Sequence, residues 1–388
     1  MRSWSQYMAG KELSLEEIEA LVATRKHPLA ECENCPLVAR PMAPTQGPTD
    51  SDVIFVSRSP GYHEAMTGKP FAGESGKVLN FLLKEQGVER SDIRLTNTVL
   101  CAPNGNKVPK EAIKACKPRL DSELQSAGTI LAGGAEAIAA VFGKPRSIQS
   151  VRGYRHTLPS GQTVVCTNNP ALVIRDDGVF PNLRSDFKRT FNPVPPPQLP
   201  EVEVIEDRAS AVRYVRSIIN EHRGTVAADI ESRGGLRKTA TLISLQFATE
   251  AGRAVVLGER LGLWDDQAFI EGELQALFSA THLDFLWHNG SFDTKVLRHT
   301  YHLPARIDHD TILLSYSVDE RPGTHALEYL LMNELDWPKY DDEEIAKIKK
   351  TGIVTDYDKF YRYAGMDVAG TLQLFEFLRP KAEEQGVY

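Results

Sequence analysis

The stretch Thr225-Val226-Ala227-Ala228-Asp229-Ile230-Glu231 decides how the second half of this 388-residue chain is read. Its first four residues suit a buried strand, and the strand closes on two carboxylates. Side chains at i and i+2 of a strand share a face, so Asp229 and Glu231 project together. Adjacent carboxylates repel unless a cation or a proton lies between them. The pair therefore suits a site for divalent metal, although a polar strand end facing solvent gives the same pattern. Residues 208–220 have helical spacing before it. Residues 241–247 read as a strand able to pair with 225–230, and residues 254–257 as a third.

Two later segments extend the reading. Trp287-His288-Asn289-Gly290-Ser291-Phe292-Asp293 follows an apolar run and leads into a helix predicted at 294–298. If that helix begins near Asn289, Asn289 and Asp293 are i, i+4 neighbours on one face. Tyr363-Ala364-Gly365-Met366-Asp367 has the same spacing. Helix caps or a solvated helix face would explain each segment alone; the sequential order is the stronger signal.

That order, D-x-E, N-x3-D and Y-x3-D, resembles the three exonuclease motifs of the proofreading domain of family A DNA polymerases. More broadly it resembles the tyrosine-bearing branch of the DEDD superfamily. Ile307-Asp308-His309-Asp310-Thr311 and the segment from His325 to Leu331 are similar to further stretches of that family, and the resemblance covers residues 201–380. It implies a ribonuclease-H-like α/β domain with a mixed, five-stranded sheet and helices on both sides. It implies two Mg²⁺ or Mn²⁺ ions about 3.5–4 Å apart on Asp229, Glu231, Asp293 and Asp367. Tyr363 would orient the attacking water, and Asn289 would support DNA or a metal-bound group. Ligands that are all oxygen suit hard cations better than zinc. The implied activity is a metal-dependent 3′→5′ DNA exonuclease.

The first half is different. The run from Asn192 to Pro200, with five prolines, reads as a stiff linker. We place the boundaries at 1–192, 193–200 and 201–388. Charge changes at the same seam: residues 1–200 carry a net +4 and the rest −11. An acidic half can still engage DNA when metal ions lie between carboxylates and phosphates. No apolar run approaches the roughly 20 residues of a membrane helix. The N-terminus reads as a polar lead-in to a short helix, without a signal core. The expected location is the cytoplasm of a bacterial or phage-infected cell.

Residues 52–57, 93–100, 129–132 and 163–167 read as strands, and residues 77–86 as a helix, so the first half is an α/β sheet. Cys32 and Cys35 form a tight pair, followed by Cys101 and Cys116; Cys166 is the fifth cysteine. Four thiolates in that arrangement suit Zn²⁺ or a [4Fe–4S] cluster, and spacing alone does not choose.

The segments 68–76, 96–103 and 116–120, with Arg152-Gly153 and residues 170–175, resemble the iron–sulfur uracil-DNA glycosylases of family four across about residues 30–190. The resemblance implies a parallel α/β sheet and favours [4Fe–4S] on Cys32, Cys35, Cys101 and Cys116. Phe71 matches the residue that stacks on uracil, and Asn97 the one that reads its edge. The catalytic motifs depart from the family. Arg58 stands where G-E-A-P-G supplies a water-activating acid, and Asn169 where H-P-A supplies a histidine for the departing anion. Asparagine can donate a hydrogen bond but brings no charge. The expectation is therefore a DNA-binding module with uracil excision weak or absent, and with Arg58 and Asn169 as substrate contacts. The alternatives are a bifunctional glycosylase and exonuclease, or the front part of a phage-type family A polymerase. Expected partners are DNA, as single strands or 3′ ends of duplex, and a replication polymerase.

Overall fold

The computed structural model describes residues 27–105, 107–193, 197–234, 240–321 and 323–388, so the expected N-terminal helix lies outside it. The described residues on either side of the 194/195 division form two compact units.

The first unit holds β1 (Val53–Ser57), β2 (Arg94–Asn97), β3 (Thr129–Gly133), β4 (Arg155–Thr157) and β5 (Thr163–Thr167). Their order is β2-β1-β3-β5-β4, parallel except for β4 against β5. A parallel strand covered on both faces reads as a continuous apolar run; β1 fits, since Ile54, Phe55 and Val56 are all fully buried. The helices Lys110–Leu124 and Ala135–Phe142 contribute to the core that includes Ile54, Val56 and Ile130, while Glu74–Glu85 and Phe180–Phe191 contribute to the one that includes Phe55 and Leu131. The strand expected over 93–100 ends at Asn97, and Cys101 instead makes an isolated antiparallel bridge to Met42. The chain therefore turns off the sheet before reaching the third cysteine.

The second unit holds β6 (Glu201–Ile205), β7 (Gly224–Arg233), β8 (Thr241–Glu250), β9 (Arg253–Gly258), β10 (Leu283–Trp287) and the two-residue β11 (His309–Asp310), in the order β11-β10-β7-β8-β9-β6. The sheet is mixed: β7 is antiparallel to β8 and parallel to β10. Its described strands number six, not five, because β11 adds two residues of parallel pairing to β10. The helix Arg208–Glu221 packs into one core, and the long helix Tyr357–Glu384 packs against β6 to β9. Gly365 permits that close approach, since a Cβ there would meet Val202 Cγ1 at 2.4 Å. No described helix is long and apolar enough to cross a membrane.

Candidate functional site

β7 is central in its sheet and carries Asp229 and Glu231 on one face. Its register against β8 shifts between Glu231 and Ser232. Such bulges re-aim side chains next to active sites. The helix Tyr357–Glu384 presents Tyr363 and Asp367 one turn apart, as their spacing predicts. Carboxylate oxygens of Asp229, Glu231 and Asp367 come within 4.8 Å of one another. Among the described residues this is the group of acids, histidines or cysteines close enough for one ion.

Asp293 stands beside that trio. It lies in the helix Ser291–Thr300, and its Oδ1 accepts the Ile230 N–H at 3.1 Å. Asn289 does not share its helix face. The helix starts two residues after Asn289, which has a left-handed φ of 60° and is exposed. The cause is Asp310, whose carboxylate accepts the N–H groups of Asn289 (2.9 Å) and Gly290 (3.0 Å) and so fixes the turn.

The electrostatics match a site built for cations. Burial, then the charges of Asp293, Glu231 and Asp367, hold Asp229 well above the usual carboxylate range. Burial, then Asp367, push Glu231 up to about 8. Burial pushes Asp293 up to about 7, against the Ile230 N–H. Asp367 is raised by burial although Lys349 and two phenols oppose the shift. Those phenols are Tyr340, whose Oη donates to Asp367 Oδ1 at 2.5 Å, and Tyr363, whose Oη donates to Oδ2. Gln246 donates to Asp229 from the directly opposed position on β8. Mutually repelling carboxylates that are buried or half-buried fit hard divalent cations.

In the first unit, four thiols gather beside the helix Lys110–Leu124. Cys35 and Cys116 are buried with Leu37, Val99 and Ala112, and Cys101 packs against them. Burial, then the charges of Cys116, Cys35 and Cys32, push the Cys101 thiol up to about 12. The four therefore share one electrostatic neighbourhood, and the Leu37 N–H donates to Cys35 Sγ at 3.4 Å. The thiols do not form the kind of tight group the carboxylates do. Cys166 lies apart, buried on β5.

A cleft of about 550 Å³ opens at the ends of β1 and β5, lined by Ser57, Arg58, His63, Glu64, Phe71 and Asn169 among others. Asn169 Nδ2 donates to Ser57 Oγ at 3.0 Å, and its Oδ1 accepts the Ala171 N–H at 2.9 Å. Phe71 has a left-handed φ of 54°, rare outside glycine. Arg90 holds it there by donating to the carbonyls of Pro70 (2.5 Å) and Phe71 (2.9 Å). Asn97 is buried at the end of β2, in register with Ser57, which lines the cleft.

Residues 44–193 match the family described as the uracil DNA glycosylase superfamily. A type-4 uracil-DNA glycosylase of Thermotoga maritima is 34% identical over 167 residues, which are 42% of this chain and 85% of that protein. The chain belongs to the uracil-DNA glycosylase superfamily. Residues 202–383 match a second family, described as 3′-5′ exonuclease, so a glycosylase-superfamily unit is joined to a 3′–5′ exonuclease domain. The DNA polymerase of Escherichia phage T5 is 28% identical over 203 residues, 46% of this chain but 23% of the polymerase. Escherichia coli RNase D, an exoribonuclease, aligns over 48% of this chain and 46% of its own, with 17% identity and a TM-score of 0.39.

Several site residues are not evident from sequence motifs. In the glycosylase-superfamily unit Glu64 ties two loops of the cleft together, accepting the N–H groups of Gly61 (2.9 Å) and Gly73 (3.4 Å). In the exonuclease domain Gln246 interrupts an apolar strand, a signal that was available. Asp310 lies in a stretch similar to the exonuclease family, whereas Tyr340 and Lys349 carry no such signal, because tertiary packing alone brings them to the site.

Proposed function

We propose that the exonuclease domain, residues 201–388, removes nucleotides from DNA 3′ ends by phosphodiester hydrolysis at Asp229, Glu231, Asp293 and Asp367. Residues 1–192 would act as a DNA-binding module with uracil excision weak or absent, joined through the linker 193–200. The observation that carries the reading is the meeting of Asp229, Glu231 and Asp367 within 4.8 Å, with Tyr363 Oη on Asp367.

The carboxylates would hold two Mg²⁺ or Mn²⁺ ions, which supply charge stabilisation and an acidified water when bound. Tyr363 and the carboxylates place a water in line with the last phosphodiester. The water oxygen bonds to phosphorus, the bond to the leaving 3′-oxygen breaks, and that oxygen takes up a proton. The products are a nucleoside 5′-monophosphate and a chain one residue shorter. Asp293, fixed by the Ile230 N–H, stands beside Asp229 as a further carboxylate for the metals.

In the first unit a [4Fe–4S] cluster on Cys32, Cys35, Cys101 and Cys116 is favoured over zinc. A single tetrahedral ion with bonds of about 2.3 Å draws its sulfurs closer together than a cluster with one iron per thiolate does. Arg58 argues against excision: a cation cannot take a proton from water, and it repels a developing sugar cation. Arg58, Phe71 and Asn169 would instead contact DNA. The match to a phage DNA polymerase supports a replication polymerase as partner.

The test is degradation of 5′-labelled single-stranded, blunt and 3′-recessed DNA by the wild type and Asp229→Ala, with Mg²⁺, Mn²⁺ or EDTA. A metal-dependent ladder shortening from the 3′ end, absent in Asp229→Ala, is expected. No degradation in either metal would show that the carboxylates are not a working site.

A further inference from the structure

The helix Glu343–Thr351 carries no exonuclease motif, yet it brings a cation to the hydroxyl of Tyr363. Its apolar side, Ile345 and Ile348, is buried in the same cluster as Phe360 and Tyr363. Its C-terminus is fastened to the catalytic strand, because Arg233 of β7 donates from Nε to the Gly352 carbonyl at 2.6 Å. Arg233 is in turn paired with Glu259, which also accepts from Tyr357 Oη at 2.6 Å. The strand bearing Asp229 and Glu231 thus fixes the helix end that carries Lys349.

From there the Lys349 ammonium donates to Tyr363 Oη at 2.7 Å. It also lies 4.9 Å from the centre of the Tyr363 ring. The same ring stacks on Tyr340, with ring centres 5.9 Å apart. Since Lys349 donates to Oη, the phenol hydrogen points to Asp367, the one acceptor it is seen to use. Asp367, Glu231, Glu328 and Asp229 surround the ammonium electrostatically.

We propose that Lys349 is a positioning residue of the exonuclease, acting through Tyr363: its ammonium fixes the direction of the Tyr363 hydroxyl. The inference rests on the exonuclease reading of the site. A lysine whose ammonium did not reach Tyr363 Oη would not have this effect.

The test uses the full chain with Lys349→Met and Lys349→Arg, each alone and combined with Tyr363→Phe. Two readouts are needed: kcat and KM on a single-stranded 3′ end, and Mn²⁺ affinity by calorimetry without DNA. Lys349→Met should lower kcat roughly 10- to 100-fold, the scale of a misaligned reacting group, with KM within about twofold. Lys349→Arg should recover most of the loss. In Tyr363→Phe, removing Lys349 should cost less than about twofold more, because the two act as one unit. Mn²⁺ should bind Lys349→Met about as tightly as the wild type, since the four carboxylates are unchanged. A full kcat in Lys349→Met, losses that multiply in the double variant, or weaker Mn²⁺ binding would each overturn the proposal. A wild type that binds Mn²⁺ but degrades no DNA would defeat the exonuclease reading, a distinct outcome.

Discussion

Glu231→Gln should stabilise the metal-free protein while destroying its metal response. Glu231 is held at about 8 against an ordinary carboxyl of 4.5, by burial first and by Asp367 second. The folded state therefore binds more protons than the unfolded state between those two values. Stability falls as pH rises through that window, because the sign follows the protons bound in each state. At pH 7 the cost is of the order of 3 kcal/mol, at 1.36 kcal/mol per unit. Glutamine keeps the shape and removes the charge. For a domain of this size that corresponds to a rise in Tm of roughly 5–10 °C in EDTA at pH 7, shrinking to nothing near pH 4.5. Mg²⁺ or Mn²⁺ should raise the wild-type Tm by mass action and raise Glu231→Gln much less. Tryptophan fluorescence reports on this domain, since Trp264, Trp287 and Trp337 are buried in it. A variant that melts at or below the wild type in EDTA at pH 7 would refute the electrostatic account of the site.

Three other outcomes follow from the first unit. Arg58→Glu should raise uracil release from uracil-containing single strands at least about tenfold over a very low wild-type rate, a modest share of what a general base contributes; a competent wild-type rate, unchanged by the substitution, contradicts the reading. Cys116→Ser should lose bound iron and its visible absorbance and lower the Tm of the first unit, because metal binding is folding free energy; iron retained in full would remove Cys116 from the ligand set. Gly76→Ala should destabilise by roughly 1–3 kcal/mol, the usual range for overpacking, since a Cβ at Gly76 would lie 1.7 Å from the Phe71 carbonyl oxygen. It should also weaken binding to single-stranded DNA, and an unchanged Tm would show that the Phe71 turn relaxes freely.

What the sequence discloses about the site is set by distance along the chain. Asp229 and Glu231 share a strand face, and Tyr363 and Asp367 a helix face, so local periodicity alone pairs them. Asn289 misleads because its conformation is set by Asp310, a residue 21 positions away. Lys349 is hidden for a related reason. Glu-Glu-Ile-Ala-Lys-Ile-Lys-Lys-Thr reads as a solvated helix, and only the seating of Ile345 and Ile348 near Tyr363 brings the ammonium of one of its lysines to the phenol. The strands were legible because parallel strands in a two-sided core are continuous apolar runs. Their ends were less so: β2 stops at Asn97, where the chain leaves to bring Cys101 alongside Met42.

We propose that Asp229, Glu231 and Asp367, with Asp293 beside them, form a metal site for nucleotide removal. The most direct measurement is anomalous scattering from Mn²⁺ in crystals of the full chain bound to a short single strand. We expect manganese peaks bridged by Asp229, Glu231 and Asp367, with the 3′-terminal phosphate against them. Crystals saturated with Mn²⁺ that show the DNA end elsewhere, and no peak at these carboxylates, would contradict the account.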